Sequence, residues 1–393
     1  MLRLNFLGFL LAVSVTAVGS AQPSPPPAVE SAAGVAITPR DNYEQWKEAL
    51  TSTEATSPDT FTILPGFSVE MLRSARPEEG SWIALTLDPK GRIIIAREKQ
   101  GLLRLTPSRG EMQVEVIDDT LVEVRGLLHS SDSIYANSNG SRGLFRLRPN
   151  ARDAQYDVVA TLTKTIGGRG HGRNGLAWAP DGGIALIHGD SVEVPPGVHR
   201  LTPPLVSGLL PADDRPHGHL LHTDPEGKQF TLVASGLRNP VGVDYNADGE
   251  AFTYDADAET DMGTPWYRGT HVRHLVSGAD FGWRLATGRW PPYYVDQVDN
   301  PPSTLLVGKG SPTAVRFGTR SRFPPAYQRA LYILDWTYGR IIAVHLTPQG
   351  ASYSSRAETF LRGRPLNVTG LEFGPDGAMY FVTGGRSTHS ALY

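Results

Sequence analysis

Residues 167–190 read GGRGHGRNGLAWAPDGGIALIHGD. The first nine, GGRGHGRNG, carry nothing apolar and form a loop. The rest is a hairpin. Leu176 and Trp178 alternate with smaller residues, Pro180-Asp181-Gly182-Gly183 turns the chain, and Ile184 to His188 returns. Period-two alternation around an Asp-Gly turn is the sequence form of a β-hairpin. Such a loop can present His171, a residue type suited to proton transfer near neutral pH, into a cleft.

The same phrase recurs along the chain. It stands at residues 84–95, more weakly at 126–136, at 175–187, at 242–252, with a longer turn at 314–334, and at 370–382. Further strand-like runs fall between them, at 101–105, 143–147 and 340–346. Six phrases over about 300 residues give a period of about 50, the spacing of propeller blades. The expected fold is all-β, a six-bladed β-propeller of four-stranded antiparallel blades. A jelly roll or sandwich would not repeat one phrase this often. Tyr393 follows closely on the sixth phrase, so residues 67–72, FSVEML, are expected to supply a ring-closing strand.

The composition agrees. Of 393 residues, 40% are apolar and 20% charged, ordinary for a globular chain, and 42 Gly with 31 Pro suit a fold of many turns. A net charge of −3 gives no basic field for nucleic acid. The absence of cysteine excludes disulfides, thiolate metal sites, a cysteine nucleophile and covalent c-type haem. Arg3, the short apolar run at 6–18 and the small residues at 18–21 have the form of a secretory signal, too short to span a bilayer. Residues 1–21 are thus expected to be a signal peptide and the mature protein to be exported, periplasmic or extracellular, with no membrane span. Residues 22–58 read as a Pro-rich linker followed by a short helix at 42–50, with Asp41 as cap and Tyr43, Trp46 and Leu50 on one face against the body. Residues 59–393 form the propeller.

Four groups of residues can carry chemistry. His171 can act as a general base on a substrate hydroxyl. Around it, Arg169, Arg173 and Asn174 can meet an anionic or polyhydroxylated ligand, and Asp190 reads as a turn acceptor. Arg238 and Asn239, before a proline and a strand, offer a guanidinium fork and an amide. Asp255, Asp257, Glu259 and Asp261 alternate, and four like charges on one strand face would repel. A loop around a hard cation such as Ca²⁺ and a solvated acidic loop both answer that pattern. Arg340 and Arg364 can reach an anionic cofactor. Phe281 and Trp283 read as aromatic core, and His217, His219 and His222 as part of a polar insert. There is no Gly-x-Ser-x-Gly elbow, P-loop, Rossmann fingerprint or His-Glu-x-x-His.

On these residues the chain resembles the glucose/sorbosone dehydrogenase-like propellers, the soluble quinoprotein sugar dehydrogenases. The resemblance runs from about Phe61 to Tyr393 and rests on residues 171–190, 236–242 and 274–283. The wording of 253–266, 327–348 and 376–385 is similar to a branch found in secreted multidomain proteins of Planctomycetes and relatives. The resemblance implies pyrroloquinoline quinone (PQQ) and Ca²⁺ on one propeller face and a sugar or other polyol as substrate. His171 would be the base, and Arg238 and Asn239 would contact cofactor and substrate. Asp255 to Asp261 would lie where the family supplies Ca²⁺ ligands. A separate cytochrome or small mediator would accept the electrons. The chain departs from the family at Thr337, where a lysine binds the quinone, at Leu366, where a second arginine does, and at Gly170, often aspartate. Two charge-assisted bonds to the quinone carboxylates are thereby lost. Besides an oxidoreductase, the sequence allows a non-catalytic propeller that binds carbohydrate or a partner protein. A lactonase-like metal hydrolase rests on propeller shape and carboxylates alone.

Overall fold

The computed structural model describes Val35, Ile37 and residues 41–108, 111–150, 155–201, 217–284 and 300–393. The expected signal peptide and most of the Pro-rich linker lie outside the described residues.

Six antiparallel sheets follow one another along the chain. Their innermost strands are Trp82–Leu87, Val124–His129, Arg173–Trp178, Val243–Tyr245, Pro312–Phe317 and Val368–Phe373. Each repeated phrase is the inner hairpin of one blade. In four of them the turn is held by a carboxylate or amide folded back on the backbone, from Asp88, Asp181, Asn246 and Asp376. Asp88 Oδ1 accepts from the N–H groups of Lys90 and Arg92, and Asn246 Oδ1 from those of Asp248 and Glu250. The blades are thus the expected ones, in the expected order. The third and fifth each gain an extra strand, His199–Arg200 running parallel to Phe230–Leu237, and Thr62–Ile63 against Ser352–Arg362.

Ring closure differs from the expectation. Arg73–Ser74, not 67–72, pairs with Ala391–Leu392 and completes the sixth blade. Of the apolar residues that made 67–72 look like a strand, Phe67 and Val69 pack into the core while Met71 and Leu72 are exposed. Phe67 sits 4.7–5.0 Å from the rings of Phe323, Tyr327 and Phe360 in the core of the fifth and sixth blades. The helix expected at 42–50 is a 3₁₀ turn, Gln45–Leu50. Three residues per turn align positions 43, 46 and 49 and rotate Leu50 off the packed face. Ala49 is accordingly buried and Leu50 exposed. Asp41 does not cap it and pairs instead with Arg362.

Antiparallel pairing places the loop entering each innermost strand and the loop leaving the second strand at the same end of the blade. The tight turns face the other end. All the loops with candidate chemistry therefore collect on one face. Near the axis the inner strands approach closely. A Cβ on Gly242 would stand 2.5 Å from the Val315 nitrogen, so only glycine fits there.

Candidate active site

His171 lies in the loop entering the third blade, and Asp190 in the loop leaving its second strand. Arg173 pairs with His188 across the hairpin, so continuing that register sets 171 opposite 190. The His171 Nδ1–H donates to Asp190 Oδ1 at 2.8 Å. A carboxylate only accepts, so Nδ1 carries a proton, and in the neutral ring the lone pair is on Nε2. The Asp190 side chain is fully buried, while that of His171 is 27% exposed. Asp190 is itself fixed. Its Oδ2 accepts from Trp283 Nε1 at 2.7 Å, Ser191 Oγ reaches Oδ1 at 3.2 Å, and its backbone N–H donates to the Arg238 carbonyl at 2.8 Å. Gly189 makes room for the pair. A Cβ there would stand 2.7 Å from His171 Cβ and 2.8 Å from Asn239 Oδ1.

The loop needs its polar residues to hold its shape. Arg173 is buried, and its guanidinium donates to the carbonyls of Thr165 (2.6 Å) and Gly167 (3.2 Å) and to Thr165 Oγ1 (2.6 Å). Burial pushes this guanidinium down to about 10. Asn174 donates to Asn239 Oδ1 (3.1 Å) and the Pro240 carbonyl (2.8 Å), tying the His171 loop to the next one. Arg169 is exposed.

Arg238 and Asn239 are presented by Asp255, whose two oxygens accept their backbone N–H groups at 3.1 and 2.8 Å. Arg238 Nη2 donates to Glu259 Oε2 at 2.7 Å, and its guanidinium lies 5.4 Å from the Trp283 ring. Its Nε and Nη1 are buried without a hydrogen-bond partner among the described residues.

The acidic loop does not converge. Asp255 caps the loop at 238–239, Asp257 Oδ2 accepts a short bond from the Tyr267 hydroxyl, Glu259 pairs with Arg238, and Asp261 meets Thr260 Oγ1 at 3.4 Å. Burial pushes the Asp257 carboxyl up to about 7, which favours its neutral form. Among the described residues, no three His, Asp or Glu side chains gather as a metal cluster. This arrangement does not fit Ca²⁺, which needs six or more oxygens around one point.

Arg340 Nε donates to Asp335 Oδ2 at 2.8 Å and its Nη1 to the Val35 carbonyl at 2.6 Å. Arg364 Nε donates to Glu48 Oε2 at 2.9 Å. Thr337 and Leu366 are buried. Both arginines are thus bonded to the chain before the propeller, at Val35 and Glu48, and the set does not fit a tricarboxylate quinone while those contacts are made.

The structure brings His171, Asn239 and Arg238 together and leaves Arg340 and Arg364 on the neighbouring fifth and sixth blades. The sequence reading missed Asp190 as the partner of His171 and Trp283 as the partner of Asp190. Register counted across the 173–188 hairpin would have found the first. Trp283 comes from a distant loop and left no local signal.

No family model matches the sequence, and no curated protein matches it. Solved structures do match its fold. One is an oxidoreductase of Thermus thermophilus described as a glucose dehydrogenase (20% identity, TM-score 0.60, covering 82% of this chain and 99% of that one). Another is the PQQ-bound aldose sugar dehydrogenase of Streptomyces coelicolor (13%, 0.61, 84% and 97%). A third is the calcium structure of a Trichoderma reesei carbohydrate-active enzyme of family AA12 (15%, 0.64, 87% and 99%). At these identities the likeness establishes the six-bladed propeller. Among the described residues no helix is long and apolar enough to cross a membrane.

Proposed function

We propose that this chain is an exported oxidoreductase that oxidises a hydroxyl of a sugar or related polyol at the propeller face bearing His171. The observation that carries the reading is the chain of bonds Trp283–Asp190–His171, which orients the ring of a partly exposed side chain so that, when neutral, its lone pair is on Nε2. Nε2 takes the hydroxyl proton, and Asp190 stabilises the imidazolium that forms. The hydride on the same carbon leaves to a two-electron acceptor, and the alcohol becomes a carbonyl. Asn239 is placed to position the substrate beside His171.

Support for sugar as the substrate class comes from the solved neighbours, which include a PQQ-bound aldose sugar dehydrogenase. PQQ and Ca²⁺ are therefore the cofactors to add, although neither fits the face in the arrangement described above. A separate cytochrome or small mediator would carry the electrons onward. The test is dye-linked oxidation of an aldose panel by the mature chain, with and without both cofactors, alongside His171→Ala. Loss of activity in a folded His171→Ala supports the reading, and equal activity refutes it. The second reading, a propeller that binds carbohydrate or a partner protein without turnover, draws on buried Thr337 and Leu366, which supply no charge to a quinone. Sugar binding with no oxidation under any cofactor condition would establish it.

A further inference from the structure

Val35 and residues 41–50 lie on the fifth and sixth blades, on the same face as the His171 site. Five of this arm's contacts there are with an arginine or an aromatic ring, while the Val35 side chain lies in a core cluster and Gln45 and Ala49 are buried. Its Val35 carbonyl accepts from Arg340, the Asp41 carboxylate pairs with Arg362, and the Glu48 carboxylate pairs with Arg364. The Trp46 ring stands 4.9 Å from that of Trp336, and Arg386 lies 5.0 Å from one ring and 5.2 Å from the other. Tyr43 meets Tyr338 at 6.1 Å. Chemically, the arm offers this surface two aromatic rings, Tyr43 and Trp46, with oxygen acceptors beside them, two of them carboxylates.

The receiving surface is built to a definite shape. Arg386 and Ser387 both adopt positive φ, +50° and +60°, which side chains other than glycine rarely do. That loop sets the Arg386 guanidinium against the two tryptophans. Arg340 keeps a buried Nη2 with no hydrogen-bond partner among the described residues, so the arm does not saturate the arginines it covers. Within residues 41–50 the one regular element is a six-residue 3₁₀ turn, too short to persist without its docking contacts. The Glu48–Arg364 pair is 46% exposed on both sides, where ion pairs contribute little. An element of this kind opens locally at far less cost than the blades beneath it.

We infer that residues 41–50 are a releasable strap that imitates a planar aromatic polycarboxylate, and that such a ligand binds this face by displacing the strap from Arg362, Arg364 and Trp336. The inference rests on the oxidoreductase reading only for the choice of probe, which is PQQ. It also accounts for the poor fit of that quinone to the strapped face. A strap closed nine-tenths of the time weakens apparent affinity about tenfold, and releasing it restores that factor.

The experiment is calorimetric titration of PQQ, with Ca²⁺ present, into the full chain and into Trp46→Ala/Glu48→Gln. Hydrogen exchange of residues 41–50 is followed in the unaltered chain with and without PQQ. The inference expects binding at least about tenfold tighter in the variant, and faster exchange at 41–50 once the unaltered chain is loaded. Equal affinities, or exchange at 41–50 that does not change on loading, overturn the strap. Absence of binding to either chain overturns it as well. If the variant fails to fold, the exchange comparison on the unaltered chain decides alone. Failure of the oxidoreductase reading looks different: PQQ binds and the strap opens, yet no sugar reduces the bound quinone.

Discussion

Replacing Asp190 by Asn tests the site through the tautomer of His171. Asp190 has two jobs and two oxygens: Oδ1 takes the His171 Nδ1–H, and Oδ2 takes the Trp283 Nε1–H. Asparagine keeps the shape but has one acceptor and one donor. If its oxygen faced His171, its NH₂ would meet the buried indole N–H donor to donor, leaving groups unsatisfied at about 1–3 kcal/mol each. The oxygen therefore turns to Trp283 and the NH₂ to His171. Nδ1 must then accept, the proton moves to Nε2, and Nε2 loses the lone pair that takes the substrate proton. By the measured effect of the same exchange in the serine-protease triad, activity falls on the order of 10⁴-fold. Stability falls less, because two charge-assisted bonds become neutral ones, roughly 2 kcal/mol together. Nitrogen-15 NMR of the His171 ring reads the tautomer directly, whether or not a substrate is known, and urea unfolding gives the stability. A ring that keeps its proton on Nδ1 in Asp190→Asn would refute the reasoning.

Other expectations follow from burial and close packing. In Gly189→Ala the new methyl collides with His171 and Asn239, so the His171 loop moves and oxidation is lost, while overpacking lowers stability by about 1–3 kcal/mol; a native His171 NMR signal would contradict this. Asp335→Ala removes the Arg340 Nε partner and the acceptor for the Ser311 N–H, costing about 3–5 kcal/mol in chemical denaturation. Burial pushes the His219 imidazole down to about 4 from 6.5. The unfolded chain therefore binds more protons between those values, so the His219 contribution to stability is lost as pH falls from 6.5 to 4, by roughly 3 kcal/mol. The stability difference between His219→Gln and the unaltered chain, measured across that range, should shift by this amount, and a flat difference would contradict it.

The inner hairpins were legible because most carry their own local signals, alternation and a turn built on Asp or Asn with Gly, as at residues 88–91, 181–182, 246–249 and 376–377. Closure was not. Two-residue strands such as Arg73–Ser74 have no period to read, and Phe67 shows the alternation of a strand while its ring fills a core. His171, Arg238 and Asn239 were legible as polar residues in glycine-bounded loops. The partnership of His171 with Asp190 is a register fact, and the role of Trp283 depends on a contact across 93 residues. The acidic run shows the limit of spacing as a guide. Four carboxylates within seven residues look like one cation site, but backbone caps, Tyr267 and Arg238 draw them apart. The arm was expected to pack on the body, but no pattern in 42–50 names the arginines on which it lies.

The most direct test of the central claim is single-turnover reduction of PQQ bound to the strap-open Trp46→Ala/Glu48→Gln chain by aldoses, compared with the same chain carrying His171→Ala. The account predicts bleaching of the quinone absorbance, slowed by deuterium at the oxidised carbon and at least about a hundredfold slower without the imidazole. Bleaching at the same rate without His171 would contradict it.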